Sequence, residues 1–226
     1  MIIGGSGTGK SVMLKCLIGL LTVTEGKIWY RDREITQMGE IELIDVRRDI
    51  AYVFQQAALF DSMTVFENIA YPLRAHLDLS DQEIAEKVEL NLERVGLPGA
   101  ADLMPAELSG GMRKRIGLAR AIALDPEVLF FDEPSAGLDP VSAKNLDDLI
   151  IEINRSLGAT VIIVTHELPS IFAIANNAVF LDTTTRTVGG NGDPKQMLET
   201  SDNPDVIRFL TRGEATGNSN AKDVTP

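Results

Sequence analysis

The sequence predicts an α/β protein built on a mostly parallel sheet, and three observations lead to this fold class. First, residues 127–133, 159–167 and 177–182 contain short apolar runs of the kind found in strands buried on both faces. Second, segments with helical spacing of apolar residues alternate with these runs, as expected when helices connect parallel strands. Third, a glycine-rich turn at residues 4–9 lies between an apolar start and a helical segment.

The first part of the chain is predicted to contain a helix and two short strands. The helix follows the glycine-rich turn and has the sequence KSVMLKCLIGLL. The segment TEGKIWYRDREI then predicts a turn at Gly26 and one strand in which Ile28 and Tyr30 alternate with polar residues. The segment DIAYVFQQ predicts a second strand. We expect Trp29, in the preceding segment, to be packed against other residues.

The middle of the chain is predicted to be rich in helices. Two capping boxes, Thr64 with Glu67 and Ser80 with Glu83, each mark the start of a helix. Gly96 is a favourable residue just beyond the end of the second of these helices.

Two further helices and a tail complete the predicted organisation. One helix begins at Ser109 and ends before Pro126, and the other has the sequence SAKNLDDLIIEINRSLG and ends at Gly158. Residues 213–226 are polar and are predicted to form a disordered tail. Residues 1–212 are therefore expected to form the folded domain.

Composition excludes several classes of function. The net charge of −12 argues against binding to nucleic acid, because no basic surface can dominate such a chain. The single Cys16 excludes a disulfide within the chain and favours a reducing compartment, and we expect it to be a small buried side chain. The apolar runs are too short to span a membrane. These features predict a soluble, cytosolic protein.

The segment GGSGTGKS fits the pattern G-x-x-x-x-G-K-[ST] of a phosphate-binding P-loop. Glycines let consecutive backbone N–H groups converge on an anion, because they allow positive φ and carry no side chain. Lys10 would reach the β- and γ-phosphates of a nucleotide, and the Ser11 hydroxyl would bind Mg²⁺. A flexible turn is the alternative, but the helix that follows favours a nucleotide site. The predicted nucleotide-binding residues of this segment are Gly4, Gly5, Ser6, Gly7, Thr8, Gly9, Lys10 and Ser11.

Two later motifs complement the P-loop. The run VLFFDE ends in Asp132 and Glu133, at the carboxyl end of a predicted strand, where ligands of open α/β sheets bind. Asp132 would hold Mg²⁺ and Glu133 would polarise the attacking water. In LSGGMRKR, Ser109, Gly110 and Gly111 precede a helix and would form a second anion site. This second site would face the nucleotide of another copy of the chain in a head-to-tail dimer.

The order of these motifs resembles that of the nucleotide-binding domain of ATP-binding cassette (ABC) proteins, over nearly the whole chain. The resemblance implies a P-loop NTPase fold of the ABC ATPase type, with an inserted helical subdomain at about residues 61–125. The matching positions are Gln55 for the Q-loop (with Gln56 as the alternative), Ser109 to Gly111 for the signature, Asp132 and Glu133 for the Walker B acids, Asp139 for the D-loop and His166 for the switch histidine.

The resemblance also implies a role for each matching residue in the hydrolysis of ATP to ADP and phosphate. The catalytic residues would be Glu133, His166, Gln55 and Lys10. Mg²⁺ would be held by Ser11, Gln55 and Asp132. Ser109, Gly110, Gly111 and Asp139 would contact the ATP that the partner chain of a homodimer binds.

Further features are similar to the ATPases of Mla/Mce-type lipid transport systems. They include Met112 at the fifth signature position, ALFDSMTVFENIAYPLR after Gln55, and GDPKQMLETSDNPDVIRFLTR near the C-terminus. This similarity implies phospholipid transport, integral-membrane permease subunits and a periplasmic Mce-domain protein. The chain would lie peripherally on the cytoplasmic face of a bacterial inner membrane. Residues 61–74 would form the groove that receives the permease.

Three other functions are compatible with some of these motifs. An ATPase for the transport of another small solute would share every residue of the ATP site. A DNA-repair or chromosome-type cassette ATPase is disfavoured by the acidic, short chain. A nucleotide-binding regulatory subunit with little turnover is the third alternative.

The start of the sequence differs from the family pattern. Cassette domains usually carry strands and an adenine-stacking aromatic residue before the P-loop, whereas only Met1, Ile2 and Ile3 precede it here. We therefore expect a fold whose N-terminal strands are missing. Either the start is misassigned and a fuller protein exists, which the retained catalytic residues favour, or the chain is a short form with weakened nucleotide affinity.

Several single residues have plain structural interpretations. His76 matches no motif and is expected on the surface of a helix. Lys114, Arg115 and Arg120 form a basic stripe on the signature helix, and such stripes are usually solvated faces.

Overall fold

The computed structural model describes residues 1–213. Its helices and strands, in chain order, are β1 (Ile2–Ile3), α1 (Lys10–Leu17), β2 (Trp29–Tyr30), β3 (Arg33–Glu34), α2 (Glu40–Asp49), β4 (Ile50–Val53), α3 (Val65–His76), α4 (Asp81–Arg94), α5 (Gly110–Ile122), β5 (Val128–Asp132), α6 (Pro140–Leu157), β6 (Thr160–Val164), α7 (Leu168–Ile174), β7 (Ala178–Leu181), β8 (Val188–Gly192), α8 (Pro194–Thr200) and α9 (Pro204–Leu210). Nearly all of the predicted tail, from residue 214 onward, lies outside the described residues.

The main sheet has the strand order β4-β5-β6-β1-β7-β8 within the described part of the chain. Its pairs are parallel except the antiparallel pair of β7 with β8. The strands β5 and β6 pair over their full lengths, from Val128 with Thr160 to Asp132 with Val164. The predicted α/β class with a mostly parallel sheet is thus confirmed.

The strand β1 has only two residues, yet it occupies a central position between β6 and β7. Ile2 is paired with Val164 on one side and Val179 on the other. Ile3 is fully buried in the cluster that contains Phe180. The buried position of this strand fixes the start of the glycine-rich turn that follows. Whether further strands precede it stays a prediction.

The segment predicted as one strand around Gly26 is in fact a small antiparallel hairpin of β2 and β3. Trp29 is 59% exposed, so the prediction that it packs against other residues was wrong. The next residue of the strand, Tyr30, is the more buried of the two, and its hydroxyl donates to Glu127 at 3.0 Å. The strand β8, with the sequence VGGNG, was missed because its three glycines leave no apolar alternation.

The helices α3, α4 and α5 pack together beside the sheet. Both predicted capping boxes are confirmed: the side chains of Thr64 and Ser80 accept hydrogen bonds from the N–H groups of Glu67 and Glu83. The inward faces form one cluster that includes Ile69, Leu73, Val88, Leu92 and Ile116. His76 is exposed, as expected. The domain bounds 1–212, with helical residues 61–125, stay a prediction.

The basic stripe on α5 is not a solvated face, so that interpretation was wrong. The side chain of Arg120 donates to the carbonyls of Ala57 at 2.8 Å and Ala58 at 2.9 Å. Arg115 donates to the carbonyl of Val95 at 3.1 Å. Lys114 donates to backbone carbonyls beyond β5. Each cation therefore ends on a turn whose carbonyls point toward the helix.

The helix α5 approaches the turn after β4 closely enough to exclude a methyl group. A Cβ added to Gly117 would lie 2.8 Å from the Cβ of Ala57 and 3.1 Å from its Cα. Ala57 has a φ of 62°, and Ala58 has a φ of 48°, so both adopt the left-handed conformation. Arg120 holds these two residues through their carbonyls. Of these two contacting residues only Ala57 carries a Cβ, and it packs against the backbone of Gly117.

This contact predicts a compensating pair of substitutions. We expect Gly117→Ala alone to lower the free energy of unfolding by about 1–3 kcal/mol, because the added methyl overpacks the contact. Ala57→Gly removes the opposing methyl and suits the left-handed conformation. The double variant should therefore regain part of the lost stability, because the contacts with the Ala57 backbone remain. Urea unfolding of the four proteins measures this, and a double variant as unstable as Gly117→Ala would contradict the contact.

Candidate functional site

The glycine-rich turn between β1 and α1 has the backbone that the P-loop pattern demands. Gly4, Gly7 and Gly9 have φ values of 148°, 78° and 86°, which side chains disfavour. A Cβ on Gly4 would also lie 2.7 Å from the carbonyl oxygen of Leu181 at the end of β7. The helix α1 begins at Lys10, so its N-terminal N–H groups and partial positive charge face the turn.

Lys10 is buried, with its side chain folded back over the turn. Its Nζ donates to the carbonyls of Gly4 at 2.9 Å and Gly5 at 2.8 Å. Burial lowers the pKa of this ammonium group, while the nearby carboxylates of Glu133 and Asp132 act in the opposite direction. The turn thus contains a positive charge that backbone carbonyls and two carboxylates partly offset.

Asp132 lies at the carboxyl end of β5 and joins the P-loop helix to the sheet. The hydroxyl of Ser11 donates to its Oδ1 at 2.6 Å. The hydroxyl of Tyr52 donates to its Oδ2 at 2.9 Å. Burial is the larger cause of a raised pKa at Tyr52, and the hydrogen bond to Asp132 is the next. The phenol therefore stays protonated and remains a donor. Sequence reasoning missed Tyr52, although its place on the strand paired with β5 was a usable signal.

Glu133 follows directly, in a left-handed conformation with a φ of 48°. Its N–H donates to the carbonyl of Val164, which binds it to the end of β6. Its Oε1 lies 2.8 Å from Nδ1 of His166. Its Oε2 is buried and has no hydrogen-bond partner among residues 1–213. Among residues 1–213 this oxygen therefore lacks the polar partner that buried carboxylate oxygens usually have.

The remaining predicted residues lie on loops and helix ends around this cluster. Gln55, just beyond β4, is exposed, as are Ser109 and Gly110 at the start of α5. Ser109 caps that helix by accepting from the N–H of Met112. Asp139 caps α6, and the hydrogen bonds it accepts from Ser142 and Val141 lower its pKa. Within the described part of the chain, no hydrogen bond joins these four residues to the P-loop.

The structure therefore divides the predicted site into two groups. Lys10, Ser11, Asp132, Glu133 and His166 meet at one edge of the sheet. The signature residues and Asp139 occupy two other helix N-termini. The first group combines an anion-binding turn, hydroxyl and carboxylate oxygens of the kind that Mg²⁺ prefers, and a carboxylate able to accept a proton. Such a set suits the cleavage of a phosphoanhydride by water.

The sequence of the chain matches a known family. The ABC transporter family profile covers residues 1–136. The intermembrane phospholipid transport system ATP-binding protein MlaF of Escherichia coli K12 is 42% identical over 209 residues, which are 92% of this chain and 77% of MlaF. The probable ribonucleotide transport ATP-binding protein mkl of Mycobacterium leprae is 43% identical over 210 residues, or 93% of this chain and 60% of mkl.

Solved structures show the same fold. A dimeric, post-hydrolysis state of the ATP-binding cassette MJ0796 with ADP and Pi superposes with a TM-score of 0.77 and 30% identity, covering 85% of this chain and 83% of that one. The ABC transporter component cbiO1 from Clostridium perfringens gives a TM-score of 0.79 with 28% identity, covering 93% of this chain and 83% of that one. Among residues 1–213, no helix has the length and apolarity needed to cross a membrane.

Sequence, fold and site geometry lead to the same assignment. The chain belongs to the ABC transporter family, as an ATP-binding and ATP-hydrolysing subunit homologous to MlaF.

Proposed function

We propose that this ATPase powers phospholipid transport, with two copies of the chain enclosing Mg²⁺-bound ATP beneath a membrane permease. The observation that carries the catalytic part is the meeting of Ser11 with Asp132 and of Glu133 with His166 beside the P-loop. The identity of 42% with MlaF supports phospholipid as the transported molecule.

Phosphate binding rests on the turn and on Lys10. The N–H groups of residues 5–11 would surround the β-phosphate, at the positive end of α1. The Lys10 ammonium would exchange the carbonyls of Gly4 and Gly5 for phosphate oxygens, a charge-assisted contact that is stronger than the bonds it replaces.

The oxygen atoms at the end of β5 fit a magnesium ion. Ser11 Oγ and the Asp132 carboxylate would hold it, with Gln55 reaching it from the turn after β4. The ion would neutralise charge on the transferred phosphate. Tyr52 keeps the Asp132 carboxylate oriented through its own hydrogen bond. The two proposed magnesium ligands, Ser11 and Asp132, are therefore already in contact in the structure.

Glu133 is placed to act on the attacking water. The contact between Glu133 Oε1 and His166 orients the carboxylate beside the P-loop, and this carboxylate would accept a proton from the attacking water. His166 is half-exposed, so its remaining ring nitrogen can face the γ-phosphate. Catalysis would consist mainly of positioning and charge stabilisation, as in other phosphoryl transfers.

Dimer formation would complete each site. The N-termini of α5 and α6 carry Ser109, Gly110, Gly111 and Asp139, and none of them is bonded to the P-loop of its own chain within residues 1–213. A head-to-tail dimer would bring them to the ATP of the partner. The dimeric state of the cassette MJ0796 supports this arrangement.

The membrane partners would dock on the helical side of the chain. The stretch predicted as the permease groove, residues 61–74, carries the half-exposed Tyr71, whose ring packs at 5.0 Å from that of Phe60. Such exposed aromatic pairs suit a protein interface. By this proposal the chain lies peripherally on the cytoplasmic face of a bacterial inner membrane, with a periplasmic Mce-domain protein beyond the permease.

A second substrate class is favoured by one observation. The chain is 43% identical to mkl, which is described as a probable ribonucleotide transport protein. Every residue of the ATP site would serve either substrate equally, because the transported molecule is recognised by the permease and its partners.

The catalytic proposal predicts the effect of Glu133→Gln. We expect this change to lower ATP turnover by about 100-fold or more, because the amide cannot accept a proton from water. ATP binding should remain, and the dimer should persist in ATP. Glu199→Gln, an exposed change on α8, is the matched control and should leave turnover unchanged. Steady-state phosphate release measures the rate. Unchanged turnover in Glu133→Gln would contradict the assignment, and no turnover in the parent chain would favour a regulatory subunit.

The head-to-tail proposal predicts complementation between two inactive variants. Ser109→Arg should block the signature, and Glu133→Gln should block water activation. A mixed dimer of the two then contains one intact site, with Glu133 from one chain and Ser109 from the other. Equal mixing should restore turnover, up to about a quarter of the parent value, since half of the dimers are mixed and each has one working site. If each chain used its own signature, mixing would restore nothing.

The substrate proposal predicts ATP-dependent movement of phospholipid. The chain would be co-expressed with candidate permease subunits, and the complex placed in liposomes that contain a fluorescent phospholipid. We expect lipid movement with ATP that stops in the Glu133→Gln complex. Movement of a labelled ribonucleotide, with none of lipid, would instead establish the second substrate class.

A further inference from the structure

A single lysine joins the signature helix to the turn that carries Glu133. Lys114 lies on α5, five positions after Ser109, and is partly buried. Its Nζ donates to the carbonyl of Pro134 and, at 2.7 Å, to that of Ala136. Both acceptors belong to the segment between Glu133 and Asp139. The helix that begins with the signature therefore holds the segment that follows the catalytic glutamate.

The bound segment has few contacts of its own to keep its shape. Its internal backbone bonds run from the N–H of Ala136 to Glu133 at 3.2 Å and from Leu138 to Ser135 at 3.1 Å. Ser135 Oγ is buried with no hydrogen-bond partner among residues 1–213. Glu133 at one end is held in the left-handed conformation, a strained state for a residue with a side chain. Lys114 adds a support from outside the segment, through two backbone carbonyls.

Burying the charged side chain of Lys114 costs free energy unless its hydrogen bonds offset that cost. Burial lowers its pKa, and the charge of Glu133 offsets part of this cost. Its neighbours on the helix behave differently: Arg113 donates to Pro105 and Arg115 to Val95, both within the helical region. Of these three cations, Lys114 alone reaches the segment between Glu133 and Asp139.

We propose that Lys114 is a positioning residue that couples the two ATP sites of the dimer. This inference rests on the proposed head-to-tail arrangement. In that dimer, Ser109 of a chain contacts the partner's ATP, whereas Glu133 of the same chain acts on its own ATP. Lys114 joins these two residues rigidly, over less than two turns of helix and one short segment. Engagement of the signature at one site therefore sets the position of Glu133 at the other.

The test compares Lys114→Met with Lys114→Arg and with the control Arg113→Met, each as the full chain. Arg113→Met removes a cation bonded to a backbone carbonyl on the same helix but leaves the segment after Glu133 untouched. For each variant, phosphate release is measured against ATP concentration, giving kcat, KM and the Hill coefficient. Thermal unfolding confirms that each variant is folded.

In Lys114→Met we expect kcat to fall by about tenfold to a hundredfold, because Glu133 is misplaced. KM should change by less than about twofold, because the P-loop still binds ATP, and the Hill coefficient should fall to one. Lys114→Arg should regain most of the parent kcat and Hill coefficient, and Arg113→Met should keep both.

Other outcomes would overturn the inference while leaving the ATPase assignment intact. A parent Hill coefficient of one would mean that no coupling exists for Lys114 to carry. A Lys114→Met protein with the parent Hill coefficient, or one that behaves like Arg113→Met, would show that the lysine is only structural. Should Lys114→Met fail to fold, a Lys114→Arg variant that retains turnover but loses cooperativity would also overturn the proposal. Failure of the ATPase proposal is distinguishable, since it requires an inactive parent.

Discussion

The hydrogen bond between Ser11 and Asp132 is the contact on which the rest of the site depends. It joins the first turn of α1 to the carboxyl end of β5, two strands away from β1 in the sheet. The helix α1 crosses the intervening strand and packs against both β5 and β6. Because β1 has only two residues, this bond and the packing of α1 are what fix the P-loop relative to Asp132 and Glu133.

Left-handed turns around the site depend on cations from one helix. Ala57 and Ala58 after β4 and Glu133 after β5 all have positive φ, at a cost of about 1–2 kcal/mol each. Arg120 binds the carbonyls of the first turn, and Lys114 binds those of the segment beyond the second. The left-handed Ala57 and Ala58 direct their own carbonyls to Arg120, whereas Lys114 binds carbonyls that follow the left-handed Glu133. The two cations thus help to hold both turns in place.

The sequence predicted the residues that carry the chemistry of the site better than the residues that hold its loops in place. Glycines at positions with positive φ, a Lys-Ser pair and a carboxylate pair after an apolar run are required by phosphate and metal binding, so their pattern was readable. The roles of Lys114 and Arg120 were not readable, since their acceptors are backbone carbonyls whose direction depends on turns far along the chain. Trp29 was mispredicted for a similar reason, because a two-residue strand does not determine which face is covered.

The helix α5 connects three parts of the molecule through residues spaced along its length. Its 13 residues form a rod of about 20 Å. Ser109 lies at its N-terminus, Lys114 holds the segment after Glu133, and Arg120 holds the turn that follows Gln55. Gly117 brings that turn into backbone contact with the helix. A displacement of this helix at one end would also move the loops along its length. Gly117 packs against the turn after β4, and Lys114 and Arg120 are bonded to backbone carbonyls of two loops. In the proposed dimer, contact at the signature would therefore reach both the glutamate and the turn nearest the permease groove.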